Sequence, residues 1–232
     1  MTINTAVIIL KRLEFREDDL KIIFLSRDLG KSEAVAIGAR KIGSKLAGHL
    51  EPWREVRMML ARGRVFDKIG QIKTLNNFCV QRHNEWQTRL AAQKATNLAE
   101  QLLPAGQRDE RIYQLMKDFF HLQFTTGANC LFPIFGWLLI SFLGFEPLLS
   151  GCGNCGRGEI KEPFFHFING GLLCGRCAVR EKKDTRQKIT VPALAALKFF
   201  KKEKKLKPLN LPQNLINEIE DLFKKFLVFQ VK

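Results

Sequence analysis

The sequence predicts an α+β protein of several domains, in which a small N-terminal β-barrel is followed by an α-helical domain with a four-cysteine insert. Three observations lead to this prediction. Short apolar runs separated by turn residues occupy the first 78 positions, and helical periodicity begins after them. Two C-x2-C pairs then interrupt the helical part between residues 151 and 180.

Five short apolar segments predict five β-strands in residues 1–78. Five strands so closely spaced indicate a small barrel or sandwich, and the OB-fold is a five-stranded barrel that binds oligonucleotides. The last two segments flank an Ala61–Arg64 turn and are typical of a hairpin. We therefore expect an OB-fold nucleic-acid-binding domain with strands at Thr5–Leu10, Lys21–Leu25, Ser32–Ile37, Val56–Leu60 and Val65–Ile72.

Residues 79–150 predict the first part of the helical domain. Apolar residues recur at spacings of one, three and four from Ala91 to Leu103, which is typical of one helix face. The Pro104–Gly106 segment ends this helix, and Asp109 is a candidate N-cap for a helix that runs through Phe120. The uncharged stretch that follows predicts a buried helix pair rather than a membrane span, because polar residues and a proline interrupt it.

Residues 181–232 predict the C-terminal part of the same helical domain. The segments Pro192–Lys202 and Gln213–Phe229 have the periodicity of two closing helices. In the second, the apolar residues fall on one face: Leu215, Ile216, Ile219, Leu222, Phe223 and Phe226.

The insert at residues 151–180 contains the pattern C-x2-C-x18-C-x2-C, formed by Cys152, Cys155, Cys174 and Cys177. Each C-x2-C places two thiolates on one turn, and four thiolates complete a tetrahedral shell. We expect one structural zinc ion, with an iron–sulfur cluster or disulfides as the alternatives. The remaining cysteines, at positions 79 and 130, lie in apolar helical surroundings and are expected to be core residues.

The charge of the chain favours polyanionic partners. Its 38 Lys and Arg against 23 Asp and Glu give a net charge of +15, and phosphates that bind such a surplus release counterions. The first 78 residues have a net charge of +6, residues 79–179 of +1 and residues 180–232 of +8. No secretory signal or membrane span is recognisable, and six cysteines fit a reducing compartment. We expect a cytoplasmic protein with no membrane partner and no small-molecule substrate.

Two basic groups are candidates for contact with nucleic acid. The first lies on loops of the predicted barrel, where cations suit phosphate contacts, although a solvated basic loop is the plain alternative. It consists of Lys31, Arg40, Lys41, Lys45, Arg62 and Arg64. The second follows a helix, where lysines also stabilise the helix dipole. We call it the C-terminal lysine cluster, and it consists of Lys201, Lys202, Lys204, Lys205 and Lys207.

Three segments match enzyme motifs only in part, so no catalytic residue is predicted. The segment Gly151–Gly156 matches G-x-G-x-x-G, but no clear strand precedes it and no helix follows it. The segment Gly38–Lys45 resembles a P-loop with its Ser and Lys in the wrong order. His83-Asn-Glu85 with the first cysteine pair resembles a zinc deaminase signature, yet the second pair would fill the metal's coordination shell.

Taken in order, several segments resemble the RecO recombination mediators of bacteria. They are T-A-V-I-I-L-K-R near the start, F-L-S-R-D-L-G-K with G-A-R-K and S-K-L-A-G-H-L-E-P-W, then L-L-I-S-F-L-G-F-E-P-L-L-S-G-C-G-N-C-G, and finally G-G-L-L-C-G-R-C. The resemblance implies an OB-fold, a helical domain and a zinc finger within it.

The same resemblance implies a function without turnover in DNA repair and recombination. Such proteins bind single- and double-stranded DNA, anneal complementary strands and, with the partner RecR, help RecA replace single-strand-binding protein. The C-terminal lysine cluster would contact a second strand or the acidic tail of single-strand-binding protein. Two alternatives stay open on the residues alone: a zinc-containing RNA-binding or ribosome-associated module, and a metal-dependent hydrolase or deaminase.

Overall fold

The structure is a computed structural model that describes residues 2–80 and 85–230. The chain forms two compact units, Met1–Ala128 and Asn129–Lys232. The first contains strands β1 (Thr2–Glu14), β2 (Leu20–Ser26), β3 (Gly30–Ala36), β4 (Arg54–Ala61) and β5 (Lys68–Asn77), then helices α1 (Trp86–Leu102) and α2 (Glu110–Thr126). The second contains α3 (Leu131–Phe142), β6 (Leu148–Cys152), β7 (Pro163–His166), β8 (Gly171–Cys174), α4 (Gly175–Ala178), β9 (Arg186–Lys188), α5 (Val191–Glu203) and α6 (Gln213–Gln230).

The five strands of the first unit close into a barrel in the order β1-β2-β3-β5-β4, with β4 returning to pair with β1. All neighbours are antiparallel except β3 and β5, which pair in parallel where Val35 lies opposite Lys68. The Val35 N–H donates to the Asp67 carbonyl at 2.9 Å and closes the barrel there. This confirms the predicted α+β class with an N-terminal OB-fold barrel.

The barrel interior follows the alternation of each strand, as a two-residue period requires. Val7, Ile22, Phe24, Val56 and Met58 point inward and are fully buried.

The predicted bounds of the last strand were wrong. The strand begins at Lys68 rather than Val65, because the Asp67 carboxylate accepts a hydrogen bond from the Gly63 N–H at 3.2 Å and holds residues 62–67 as a loop. Val65 is 80% exposed in this loop.

Helices α1 and α2 pack against β1, and Trp53 anchors the barrel to them. Its indole N–H donates to Thr96 on α1 at 3.0 Å, and its ring lies 5.9 Å from that of Phe124 on α2. Trp53 has a positive φ of 61°, which is uncommon for a bulky residue and is held only where contacts fix it. The predicted cap is confirmed, since the Asp109 side chain accepts from the Arg111 N–H.

The turn into β3 requires a glycine. Gly30 has a φ of +69°, and a Cβ at this position would lie 2.1 Å from the Gln107 carbonyl oxygen. The adjoining Lys31 backbone accepts from the Gly106 N–H at 2.9 Å, so the segment between α1 and α2 lies directly against β3.

The second unit is built around Trp137 on α3. Its ring stacks on Phe226 at 5.3 Å and contacts Phe165 and Phe223 edge-on at 5.7 Å. Phenylalanine is abundant here because it fills this core, and the two predicted closing helices are confirmed as α5 and α6. A four-stranded sheet of order β6-β8-β7-β9 completes the unit.

No helix in residues 2–80 and 85–230 combines the length and the apolar character that crossing a membrane requires.

Candidate metal centre and nucleic-acid interface

Two turns of the second unit bring the four cysteines together. Strand β6 ends at Cys152 and the parallel strand β8 ends at Cys174, with Cys152 in register with Leu172. The Gly153 N–H donates to the Leu172 carbonyl at 2.8 Å, which fixes the first turn against β8. The second turn continues directly into α4, which contains Cys177. For the G-x-G-x-x-G match at Gly151–Gly156, the sequence showed no clear strand before Gly151, whereas the structure places strand β6 there. No helix follows directly after this turn, as the sequence indicated.

The four sulfur atoms fit a tetrahedral metal ion. All four Sγ atoms lie within 4.8 Å of one another, and those of Cys155 and Cys174 are 3.8 Å apart. Zinc–sulfur bonds of about 2.3 Å place tetrahedral sulfurs about 3.8 Å from one another. The sulfurs of Cys155 and Cys174 are therefore too far apart for a disulfide and correctly spaced for a shared cation. The four-cysteine cluster can bind a metal ion.

Backbone groups prepare two of these thiols for ionisation. Burial of Cys152 opposes ionisation, but N–H groups of Cys174, Cys155 and Asn154 outweigh it and lower the pKa of Cys152 to about 6. The Cys174 N–H lies 3.3 Å from the Cys152 sulfur. The Cys177 N–H likewise lowers the pKa of Cys174.

The fourth thiol shows why the cluster needs a cation. The pKa of Cys177 is raised to about 12, first by its hydrogen bond to Cys174 and then by burial and the neighbouring sulfurs. Four adjacent thiolates repel one another unless a positive ion compensates them. The donor set is thus suited to a metal with soft ligands and leaves no open coordination position in a four-ligand shell.

The other two cysteines lie outside this cluster. Cys130 is buried, its S–H donates to the Leu209 carbonyl at 3.1 Å, and burial raises its pKa. Cys79 is half-buried, and burial is also the main cause of its raised pKa. His83, the histidine of the deaminase-like motif, lies outside the described residues.

Several of the predicted barrel cations have partners within the first unit. Arg40 pairs with Glu14 at 3.4 Å, Lys41 with Asp18 at 3.5 Å and Arg62 with Asp67 at 3.9 Å. All three are exposed ion pairs.

Lys31 differs from these three, because its ammonium donates to the Glu100 carbonyl near the end of α1. Lys45 and Arg64 are exposed and form no ion pair within residues 2–80 and 85–230.

An aromatic pair that the sequence analysis did not predict joins two loops of the barrel. Phe15, after β1, and Phe66, before β5, contact edge-on with ring centroids 5.2 Å apart. The Lys21 ammonium lies 5.3 Å from the Phe66 ring centre, and the Arg16 guanidinium lies 5.1 Å from that of Phe15. In OB-folds these are the two loops that bind oligonucleotides. The signal in the sequence was a phenylalanine in each of two polar turn segments.

The C-terminal lysine cluster borders a recess at the end of α5. Lys201 donates to the Pro147 carbonyl at 2.8 Å, and Lys204 lies 3.9 Å from Glu146. Lys207 pairs with Glu203 at 2.6 Å. Lys202 and Lys205 are exposed and form no ion pair with any described residue. The recess is lined by Glu146, Leu149, Ser150, Lys198, Lys201, Lys202 and Lys204.

Together these features define an OB-fold protein with a basic surface and a separate four-cysteine metal site. The model of the family described as "Recombination protein O N terminal" matches residues 1–78, and that of "Recombination protein O C terminal" matches residues 83–232. The chain therefore belongs to the recombination protein O family.

Individual relatives agree with this assignment. The chain is 29% identical over 228 residues to the DNA repair protein RecO of Desulforamulus reducens, covering 97% of this chain and 88% of the relative. It is 30% identical over 201 residues to that of Symbiobacterium thermophilum, covering 84% and 78%. It is 23% identical over 230 residues to that of Alkaliphilus metalliredigens, covering 98% and 93%.

Proposed function

We propose that this protein is a recombination mediator that binds single- and double-stranded DNA and anneals complementary strands. With RecR, it helps load RecA onto DNA coated by single-strand-binding protein. The observation that carries the proposal is that both models of one recombination family match the chain, the first of them on an OB-fold barrel. The action is binding without turnover, so the protein is not an enzyme.

The barrel loops hold the DNA backbone in this proposal. Exposed ion pairs such as Lys41 with Asp18 contribute about 0–1 kcal/mol each, so phosphates compete for their cations at little cost. Arg40, Lys45, Arg62 and Arg64 present further charges on the same barrel. If four phosphates are neutralised on a single strand, affinity falls about 50-fold between 50 and 200 mM salt.

The C-terminal lysine cluster receives the acidic tail of single-strand-binding protein. Its recess combines four lysines with one acid, Glu146, a lining that suits an acidic peptide. Contact with this tail would bring the mediator to coated strands before the coating protein leaves.

The four cysteines hold one zinc ion with a structural role. When bound, zinc supplies a cross-link among thiolates, worth about 10–16 kcal/mol of apparent binding energy in small zinc peptides. Cys152, Cys155, Cys174 and Cys177 are the proposed ligands. The protein acts in the cytoplasm, on the nucleoid.

The test is fluorescence-monitored annealing of two complementary oligonucleotides, bare and coated with single-strand-binding protein. We expect acceleration on both, and a double variant Lys202→Gln with Lys205→Gln to lose most of the acceleration on coated strands only. The control variant, Lys224→Gln with Lys225→Gln, removes the same charge from helix α6, where both lysines are already paired with acids.

Three other results of the annealing experiment would change the proposal. Binding without any acceleration would overturn the mediator proposal, and a preference for matched RNA over DNA would favour the RNA-binding alternative. Equal losses in both double variants would show that net charge, rather than the C-terminal lysine cluster, recognises the tail.

A further inference from the structure

Three adjoining rows on the outer face of the β4–β5 hairpin contain three cations and no acid. Residues in register share a face of the sheet. Three rows of residues across β1, β4 and β5 point outward from the barrel. They are Ala6 with Arg57 and Lys73, Asn4 with Met59 and Gln71, and Thr2 with Ala61 and Lys68. Arg57, Lys68 and Lys73 are exposed. Sequence reasoning missed all three, since strand residues far apart in the chain form this face.

Two of these cations oppose each other directly. Arg57 lies opposite Lys73 on adjacent antiparallel strands, where Cβ atoms are about 4.5–5.5 Å apart and like charges are destabilising. Arg57, Lys68 and Lys73 form no ion pair with any residue in the described ranges 2–80 and 85–230. The arrangement therefore costs stability and leaves its charge available to an external anion.

The two acids within the hairpin segment, residues 54–77, are already engaged. Glu55, in the next outward row, is buried and accepts from Tyr113, Lys117 and Asn76. Asp67, in the loop of the hairpin, accepts from the Gly63 N–H and lies 3.9 Å from Arg62. Neither carboxylate is free to neutralise the face.

We propose that this face, together with exposed Arg64 in the hairpin loop, binds the phosphate backbone of a nucleic-acid strand. We call Arg57, Arg64, Lys68 and Lys73 the hairpin track. The inference rests on the proposed function and adds to it a binding surface separate from the ion-paired loop cations. The partner is a nucleic-acid backbone bound without regard to base sequence, because these cations are proposed to contact phosphates, which carry no sequence information.

The dimensions of the track match several nucleotides. Lys73 pairs with Arg57 and Lys68 with Ala61, four residues further along β4, so the two lysines lie about 13 Å apart at about 3.3 Å per residue. At about 3.4 Å per nucleotide along one strand of a duplex, this spans about four nucleotides.

The test compares salt dependence of binding to a fluorescent oligothymidylate between 50 and 200 mM salt. The face variant is Arg57→Gln with Lys68→Gln and Lys73→Gln. Loss of three phosphate contacts lowers the slope of log affinity against log salt by about 2, since each contributes about 0.7 on single strands. The fall in affinity across this range then becomes about 18-fold smaller than in the wild type. The melting temperature of the face variant stays at or above the wild-type value, because the variant removes the repulsion between Arg57 and Lys73.

Two control variants separate the possible causes. The loop variant, Arg40→Gln with Lys41→Gln and Arg62→Gln, removes the same charge from ion-paired loops of the barrel. The second-unit variant, Lys188→Gln with Lys224→Gln and Lys225→Gln, removes the same charge from the second unit, where all three lysines are paired. We expect the face variant and the loop variant each to lower the slope, because the two proposals place both sets of cations against DNA, and the second-unit variant to leave the slope near the wild-type value.

The outcomes distinguish this inference from the proposed function. If the wild type binds and anneals DNA but the face variant keeps the wild-type slope, the inference is overturned and the proposed function stands. If all three variants lower the slope equally, net charge explains the effect and the track is refuted. If the wild type does not bind DNA, both proposals fail.

Discussion

Replacing Glu55 with Gln should destabilise the first unit by about 2–3 kcal/mol. Glu55 is 3% exposed and accepts from the Tyr113 hydroxyl at 2.9 Å, the Lys117 ammonium at 2.9 Å and the Asn76 amide. Breaking a buried charge pair costs about 3–5 kcal/mol. The Lys117 side chain is 35% exposed, so water partly compensates its lost partner, which gives the lower estimate. The new amide N–H₂ also faces groups that are themselves donors.

The assay is native-state hydrogen exchange of amides in β4 and α2, which reports opening of this unit directly. A loss of about 2–3 kcal/mol accelerates exchange by about 30- to 160-fold, since each 1.36 kcal/mol is tenfold. The matched control is Glu51→Gln, because Glu51 forms an exposed ion pair with Arg12. We expect the control to change exchange less than about threefold. Wild-type protection in the Glu55 variant, or equal effects of both variants, would refute the reasoning.

Two further predictions concern the metal site and a turn. Cys174→Ala should abolish stoichiometric zinc binding, measured by elemental analysis, and lower the melting temperature of the second unit. Cys130→Ala, outside the cluster, should keep the metal, and zinc retained by Cys174→Ala would contradict the ligand assignment. Gly30→Ala should cost more than about 2 kcal/mol in urea unfolding, because positive φ and a contact 2.1 Å from the Gln107 carbonyl add together. Gly43→Ala, also at positive φ but with open space, should cost only about 1 kcal/mol, and equal costs would show that the close contact is unimportant.

Sequence periodicity was most informative where one local rule dominates. The α6 stripe from Leu215 to Phe226 was predicted because burial of a helix face requires a spacing of three and four. The cap at Asp109 was predicted because it satisfies free N–H groups next to it in the chain. The start of β5 was not, because a contact between Gly63 and Asp67 overrides the apolar character of Val65.

The sequence by itself determined the α+β class, the five strands of the first unit, the order of the helices and the four metal-binding cysteines. These properties depend on residues that are near one another in the chain, such as each C-x2-C pair. Only the tertiary structure decided which cations are free. Arg40, Lys41 and Arg62 pair with acids, whereas the register of β4 with β5 places Arg57 beside Lys73. Charge pairing depends on distances across the fold, and a linear sequence does not contain those distances.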